Sequence, residues 1–409
     1  MNYQILIPKK FNAIKLLQSC PTEITLKPDK LTYFISIIYN PLDTNLGYDG
    51  YTILSSTLME NMVSNYKQYL DYLIDTNMIE CNNTFVPGVI SKGYKISNLY
   101  VLISEGINYT ITDKTLLKRF NKQEEQIIIE NKVVKTKLPY LCKWFNSNLQ
   151  VTLPDGVKDK RVLNAAFNLN KQNYRLTIDN YGLRLHSNLT RFNREYRCYI
   201  KYDGNRLANI DLKNAQPYFL VKLLVQELKQ KHNFIYNKML VAGGSEDDSL
   251  NDANKILFLK YQNDLEGLGN YFEDVCNGTL YTKVQKAFNK ENKYSITRDI
   301  VKQDIMPIFF GSVNYKSKIK TVFKKLYPFV STFLDDYKNS KRIPLAKKLQ
   351  KIESSLILRK IAKKIAADTP RFTIHDSLFV PEDKGEMVEQ LILEYAKKEI
   401  GFYPNVSVE

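Results

Sequence analysis

Residues 373–380 read TIHDSLFV, a His-Asp pair set between two short apolar arms. Phe372 and Ile374 flank Thr373 on one side, and Leu378 and Val380 flank Phe379 on the other, so both arms read as strands. His375 and Asp376 then occupy the tip of a tight hairpin. Aspartate is a common turn residue and histidine a tolerable one, so the pair alone says only that the chain turns here. Its neighbours make it informative. The chain has 3 histidines, and two segments upstream present charged groups in an equally ordered way.

The first of these is RLANIDLKNAQPYFLVKLL, 206–224. Leu207 to Ile210 reads as a short buried strand ending at Asp211, and a helix follows from Gln216 with Pro217 in its first turn. The second is TRDIVKQDIMPIFFGS, 297–312, where Arg298, Lys302, Met306 and Phe310 recur at every fourth residue before Gly311. On a helix these four share one face, two cations followed by two large apolar groups. That order suits a nucleoside triphosphate, with phosphates at the cationic end and base and sugar at the apolar end. An ordinary amphipathic helix with two surface cations needs no such order.

Taken in chain order, the three segments resemble the polymerase domain of the DNA polymerase I family (family A) and its relatives, the single-subunit phage and mitochondrial RNA polymerases. In that superfamily motif A is a strand ending in Asp. Motif B is Arg-x-x-x-Lys-x-x-x-aromatic or Met-x-x-x-Tyr-Gly, and motif C is His-Asp followed by Glu or Ser. Here they stand as Asp211, as Arg298, Lys302, Met306, Phe310 and Gly311, and as His375-Asp376-Ser377. Upstream, LRLHSNLTRFNREYR is similar to the segment that precedes motif A, with Arg184 matching an Arg near the primer–template minor groove. LQKIESS resembles the Gln-containing segment between motifs B and C, which makes Gln350 the match.

The resemblance implies an α+β right-hand fold of palm, fingers and a reduced thumb. It makes Asp211 and Asp376 ligands of two Mg²⁺ ions, or Mn²⁺ in their place, with the backbone carbonyl of Leu212 as a further ligand. Arg298 and Lys302 would neutralise the triphosphate, and Lys302 would protonate the leaving pyrophosphate. Met306, Phe310, Gly311 and Gln216 would line the nucleotide, and His375 would sit at the primer terminus with Arg184 and Gln350 along the primer–template. The chemistry needs these residue types. Two metal ions stabilise the attacking and leaving oxygens of an in-line displacement at phosphorus. Mg²⁺ takes one or two carboxylates together with substrate phosphates and water.

Three positions depart from the family pattern. DNA polymerases of the family carry Glu five residues after the motif A Asp, where it excludes a ribose 2′-hydroxyl; here the residue is Gln216. The RNA polymerases sense that hydroxyl with the motif B Tyr; Phe310 has no hydroxyl. Pro307 lies inside the motif B helix, where it removes one backbone hydrogen bond and is expected to bend it. Met306 and Ser377 look like the RNA enzymes and the segment around Arg184 like the DNA enzymes, so the sugar stays open.

Residues 51–97 read as a separate small module. Ser55-Ser56 and Ser64 offer caps for two short helices, the second with Tyr66, Tyr69, Leu70, Leu73 and Ile74 at helical spacing and ending at Asn77. MIECNNTFV then reads as strand, Asn-Asn turn and strand, and SKGYKIS as a basic return. This pattern resembles a winged helix-turn-helix domain, which implies duplex binding by the second helix and the wing. The expected organisation is therefore 1–100 winged-helix-like, 101–180 connector or reduced thumb, and 181–409 palm and fingers. GGSEDDSLND, 243–252, reads as an exposed loop tip.

Composition agrees with a polyanionic partner. Lys plus Arg number 59 against 43 Asp plus Glu, a formal net charge of +16, and 28 Tyr with 20 Phe supply faces on which bases can stack. The 5 cysteines are scattered, which argues against a disulfide framework or a zinc site and fits a reducing compartment. No apolar run reaches membrane-spanning length and no signal-peptide core opens the chain, so the expectation is a cytoplasmic protein away from the membrane. The leading expectation is a DNA-directed DNA polymerase without proofreading, since residues before the palm hold no cluster of acids, in keeping with phage or mobile-element replication. Its partners would be a DNA primer–template and nucleoside triphosphates. The alternatives are a single-subunit RNA polymerase or primer-making enzyme, with RNA as a partner, and a non-catalytic replication initiator with a polymerase-like palm.

Overall fold

The computed structural model describes residues 3–20, 25–41, 50–83, 91–102, 105–231, 267–340 and 342–409. The fold is α+β, and the chain separates into two compact units. One comprises Met1–Thr136, Gln150–Leu176 and Arg191–Tyr199; the other comprises Lys137–Leu149, Thr177–Thr190 and Ile200–Glu409.

In the first unit, strand β1 (Tyr3–Pro8) pairs antiparallel with β5 (Gly106–Ile111). Between them lie helix α1 (Pro28–Tyr39), β2 (Thr52–Ile53), α2 (Ser56–Met62), α3 (Tyr66–Asp75), β3 (Ile79–Cys81) and β4 (Gly93–Ile96), and the three strands form a sheet in the order β2-β4-β3. Helices α4 (Lys114–Lys137) and α5 (Lys160–Asn170) follow. Ser55 caps α2 as expected, accepting from the Leu58 N–H at 3.1 Å. Ser64 does not cap α3. Arg119 on α4 takes its hydroxyl at 2.8 Å, and Asn65, in the left-handed region at φ +63°, starts the helix without a side-chain cap bond. Asn77, at φ +54°, ends it. The expected strand partner Thr84–Val86 and the 243–252 tip lie outside the described residues; β3 pairs instead with β4, Ile79 opposite Ile96.

This unit is pinned by Asp29 in the first turn of α1. Its buried carboxylate accepts from Tyr109 Oη at 2.6 Å, from the Thr112 and Asp113 N–H groups at 2.5 Å each, and from Thr112 Oγ1 at 3.0 Å. Burial pushes this carboxyl up, but the four donors outweigh it and the net shift is downward.

The second unit is built on a twisted antiparallel sheet. β6 (Thr177–Ile178) and β7 (Leu185–His186) form a small hairpin. β8 (Ile200–Tyr202) turns into β9 (Asn205–Leu212), whose Ala208, Ile210 and Leu212 are buried on one face while Asp211 faces the other, the period-2 alternation of a half-covered strand. After helix α6 (Ala215–Lys231) come α7 (Leu268–Cys276), α8 (Leu280–Glu291), α9 (Arg298–Phe310), α10 (Lys318–Leu326), α11 (Pro328–Asn339) and α12 (Leu345–Ser354). A π-helical stretch, Ser355–Ile361, prolongs α12. β10 (Phe372–Ile374) and β11 (Ser377–Pro381) form the expected hairpin, α13 (Gly385–Ile400) covers the sheet, and β12 (Val406–Val408) pairs with β9. Buried tyrosines tie the helices to this frame: Tyr218 Oη donates to Phe402 O at 2.6 Å, Tyr271 Oη to Pro217 O at 2.9 Å, and Tyr327 Oη to Asp274 Oδ2 at 2.8 Å.

Replacing Asp29 by Ala orphans several buried donors at once, so the first unit should lose about 2–4 kcal/mol of stability. Because the folded carboxyl titrates below the unfolded one, this stabilisation is present above about pH 4 and fades below it. Denaturant melts at pH 7 and pH 3 check both parts; an unchanged midpoint at pH 7 in Asp29→Ala contradicts them.

Candidate active site

The decisive local fact is strand register. β9 and β11 run antiparallel with Asp211 opposite Ser377, and the β10–β11 hairpin closes over two residues, His375 and Asp376. Asp376 therefore sits one residue from the partner of Asp211, and two acids far apart in sequence share one end of the sheet. Ser377 Oγ donates to Asp211 Oδ1. His375 holds the left-handed region at φ +54°, uncommon for a residue with a side chain and concentrated at functional sites. Leu212 lies in the same strand as Asp211, buried, with Val406 opposite.

Helix α9 presents the stripe that its spacing requires. Val301, Ile305, Ile308 and Phe309 are buried; Arg298 and Lys302 are exposed, and Met306 and Phe310 partly so. Thr297 caps the helix, its Oγ1 accepting from the Ile300 N–H at 3.4 Å. The helix is continuous through Pro307 to Phe310. Gly311 is needed there: a Cβ on it would stand 2.7 Å from the Pro307 carbonyl. The Arg298 guanidinium lies over the Tyr281 ring at 5.3 Å. Burial pushes the Tyr281 hydroxyl up to about 12, Asp376 pushes the same way and Arg298 opposes them, so one buried phenol senses both the cationic helix and the carboxylate pair.

Three of the expected residues gather at Glu353, which belongs to none of the three motifs. Glu353, on α12, is fully buried. It accepts from Arg184 Nε and Nη2 at 2.6 Å each and from Gln216 Nε2 at 2.5 Å. Gln350, one turn earlier, packs on the turn that carries Arg184, where a Cβ on Gly182 would fall 2.5 Å from Gln350 Oε1. Ser354 Oγ donates to Gly182 O at 2.7 Å on the same turn. Burial raises the Glu353 carboxyl and the Arg184 and Gln216 donors hold it back. Its signal was present: Leu345, Leu349 and Glu353 recur at four-residue spacing, an acid on the buried stripe of a helix.

Burial, then the like charges of Glu353 and Asp211, pushes the Asp376 carboxyl up to about 7. Such a concentration of negative charge is the environment a divalent cation relieves. Among the described residues no group of three or more His, Cys, Asp or Glu side chains is arranged to hold a metal ion. Asp211 and Asp376 nevertheless supply carboxylate oxygens, the donor type that Mg²⁺ takes one or two of. Among the described residues no helix is long and apolar enough to cross a membrane. Compared with known proteins, the chain matches no family model and no curated relative.

The Asp376 shift has a consequence for stability. The unfolded carboxyl titrates near 4, so between about pH 4 and pH 7 the folded state holds the extra proton and stability falls as pH rises. Asp376→Asn removes this penalty, by no more than about 4 kcal/mol. Thermal melts should show Asp376→Asn above wild type at pH 8 and level with it near pH 4, and added Mg²⁺ should raise the wild type alone. A lower melting point for Asp376→Asn at pH 8 contradicts this.

Proposed function

We propose that the protein is a template-directed nucleic-acid polymerase that extends a 3′-hydroxyl by nucleotidyl transfer, with DNA as the principal product. The observation that carries this reading is the register that brings Asp211 and Asp376 to one end of the sheet, with Arg298 and Asp376 both acting on the buried Tyr281 hydroxyl. The reading is further supported by Glu353, which gathers Arg184 and Gln216 at the same centre.

In this reading Asp211 and Asp376 hold the metal ions, which when bound stabilise the attacking and leaving oxygens. Arg298 and Lys302 bind the triphosphate as it acquires charge, and Lys302 gives a proton to the departing pyrophosphate. Met306 and Phe310, the partly exposed apolar end of the helix, receive the base and sugar. Arg184, Gln350 and His375 line the primer–template side. In the first unit, the order helix, strand, helix, helix, strand, strand with sheet order β2-β4-β3 supports the winged-helix reading, with duplex binding by α3 and by strands β3 and β4.

One observation favours a second reading, a single-subunit RNA polymerase. The Gln216 amide is drawn onto buried Glu353, so its polar end forms a hydrogen bond inside the protein rather than standing free to bar a 2′-hydroxyl.

Purified protein, primed DNA template and Mg²⁺ with either dNTPs or rNTPs separate these readings. Incorporation is expected with both sets, dNTPs ahead by less than about a hundredfold, because a pocket without a dedicated hydroxyl partner discriminates weakly. Asp211→Ala and Asp376→Ala should each abolish incorporation while leaving template affinity within a few-fold, since metal ligands act on the transition state. Lys302→Ala should lower the single-turnover rate by about 10²-fold. No incorporation of either nucleotide set by the wild type sinks the polymerase reading; use of ribonucleotides alone promotes the second.

A further inference from the structure

The turn between β6 and β7 is organised by one carboxylate. Asp179 accepts from the N–H groups of Tyr181 at 2.8 Å, Gly182 at 2.5 Å and Arg184 at 3.0 Å, and its Oδ2 lies 3.0 Å from His186 Nε2. Burial pushes the Asp179 carboxyl up, but these donors outweigh it and the net shift is downward, so the group is an anion and an acceptor only. Nε2 of His186 therefore carries the hydrogen. The lone pair of the neutral ring is left on Nδ1, which has no hydrogen-bond partner among the described residues.

His186 is also well placed. Its side chain is 31% exposed, so a ligand can reach it. Its ring meets the His375 ring edge to face at 5.9 Å, and His375 directly precedes Asp376 in the two-residue hairpin. An accepting nitrogen oriented by a carboxylate thus lies on a ring packed against the neighbour of Asp376, the arrangement of a base and its orienting group. The neighbouring acids are otherwise engaged: Glu353 by Arg184 and Gln216, Asp179 by its four donors.

We propose that His186, oriented by Asp179, accepts the proton of the attacking 3′-hydroxyl. The inference rests on the polymerase reading above and adds a catalytic residue that the motif resemblance does not supply. The 3′-O–H bond breaks, the proton passes to Nδ1, and the electron pair stays on the oxygen. That oxygen bonds to the α-phosphorus as the bond from phosphorus to the bridging oxygen breaks and pyrophosphate leaves. The imidazolium keeps its Nε2–H on Asp179, whose charge stabilises it, and later returns the proton to water.

The test is single-turnover incorporation at saturating nucleotide by the full-length wild type, His186→Ala, His186→Gln and Asp179→Asn, each with a thermal melt and a primer–template Kd. His186→Ala and His186→Gln should lose about 10²- to 10³-fold in rate with Kd within about threefold, and Asp179→Asn should lose less. Added imidazole should restore part of the His186→Ala rate and none of the His186→Gln rate, because only the alanine leaves room for it. A merely structural role for His186 would show no such rescue. If His186→Ala does not fold, the rate and Kd of His186→Gln decide on the same criteria. A wild-type rate in the variants, or a loss confined to Kd with no imidazole rescue, overturns the inference while leaving the polymerase reading standing. A wild type that incorporates no nucleotide overturns both.

Discussion

A carboxylate removed from water costs several kcal/mol unless its partners replace the lost hydration, and Glu353 has no exposed surface. Two N–H groups of Arg184 and one of Gln216 replace it. The requirement runs both ways. Glu353 cannot be buried unless the turn between β6 and β7 and the first turn of α6 are brought to α12, and those segments flank Asp211 on its two sides in the chain. Ser354 and Gln350 extend the same junction by bonding to and packing on Gly182. The site is thus fixed from a charge outward, and truncating one partner would leave the other charge buried and unpaired.

The same charge sets the electrostatics of the candidate centre. Burial first, and then the charges of Glu353 and Asp211, raise the Asp376 carboxyl to about 7. Three acids in one neighbourhood, with one guanidinium among them, leave a net negative centre at the end of a sheet. The cations of α9, Arg298 and Lys302, are exposed, and the Arg298 guanidinium lies over the ring of Tyr281. In the proposed reading, a negative centre with cations on a neighbouring helix suits a cation and a polyanion together, the pairing that a metal-bound triphosphate presents.

Much of this was legible in the sequence because it rests on periodicity. The Phe372–Ile374 and Leu378–Val380 arms, the strand ending near Asp211 and the four-residue stripe on α9 all follow from spacing, and register alone brings Asp211 to Ser377. What stayed hidden depended on partners distant in sequence. Ser64 looks like a helix cap until Arg119 takes its hydroxyl. Gln216 looks free until Glu353 binds its amide. Asp179 and His186 sit in a turn whose composition is ordinary; only the folded hairpin reveals that one carboxylate gathers four donors. Glu353 itself was readable as an acid on a buried helical stripe, but no short motif marks it.

The central claim is that Asp211 and Asp376 jointly hold divalent metal where a nucleotide arrives. Electron paramagnetic resonance of bound Mn²⁺, with primer–template and a non-hydrolysable nucleoside triphosphate present, tests it most directly. The account predicts two Mn²⁺ ions close enough to couple magnetically in the wild type, and loss of that coupled signal in both Asp211→Asn and Asp376→Asn. A stoichiometry and spectrum unchanged by either substitution would contradict it.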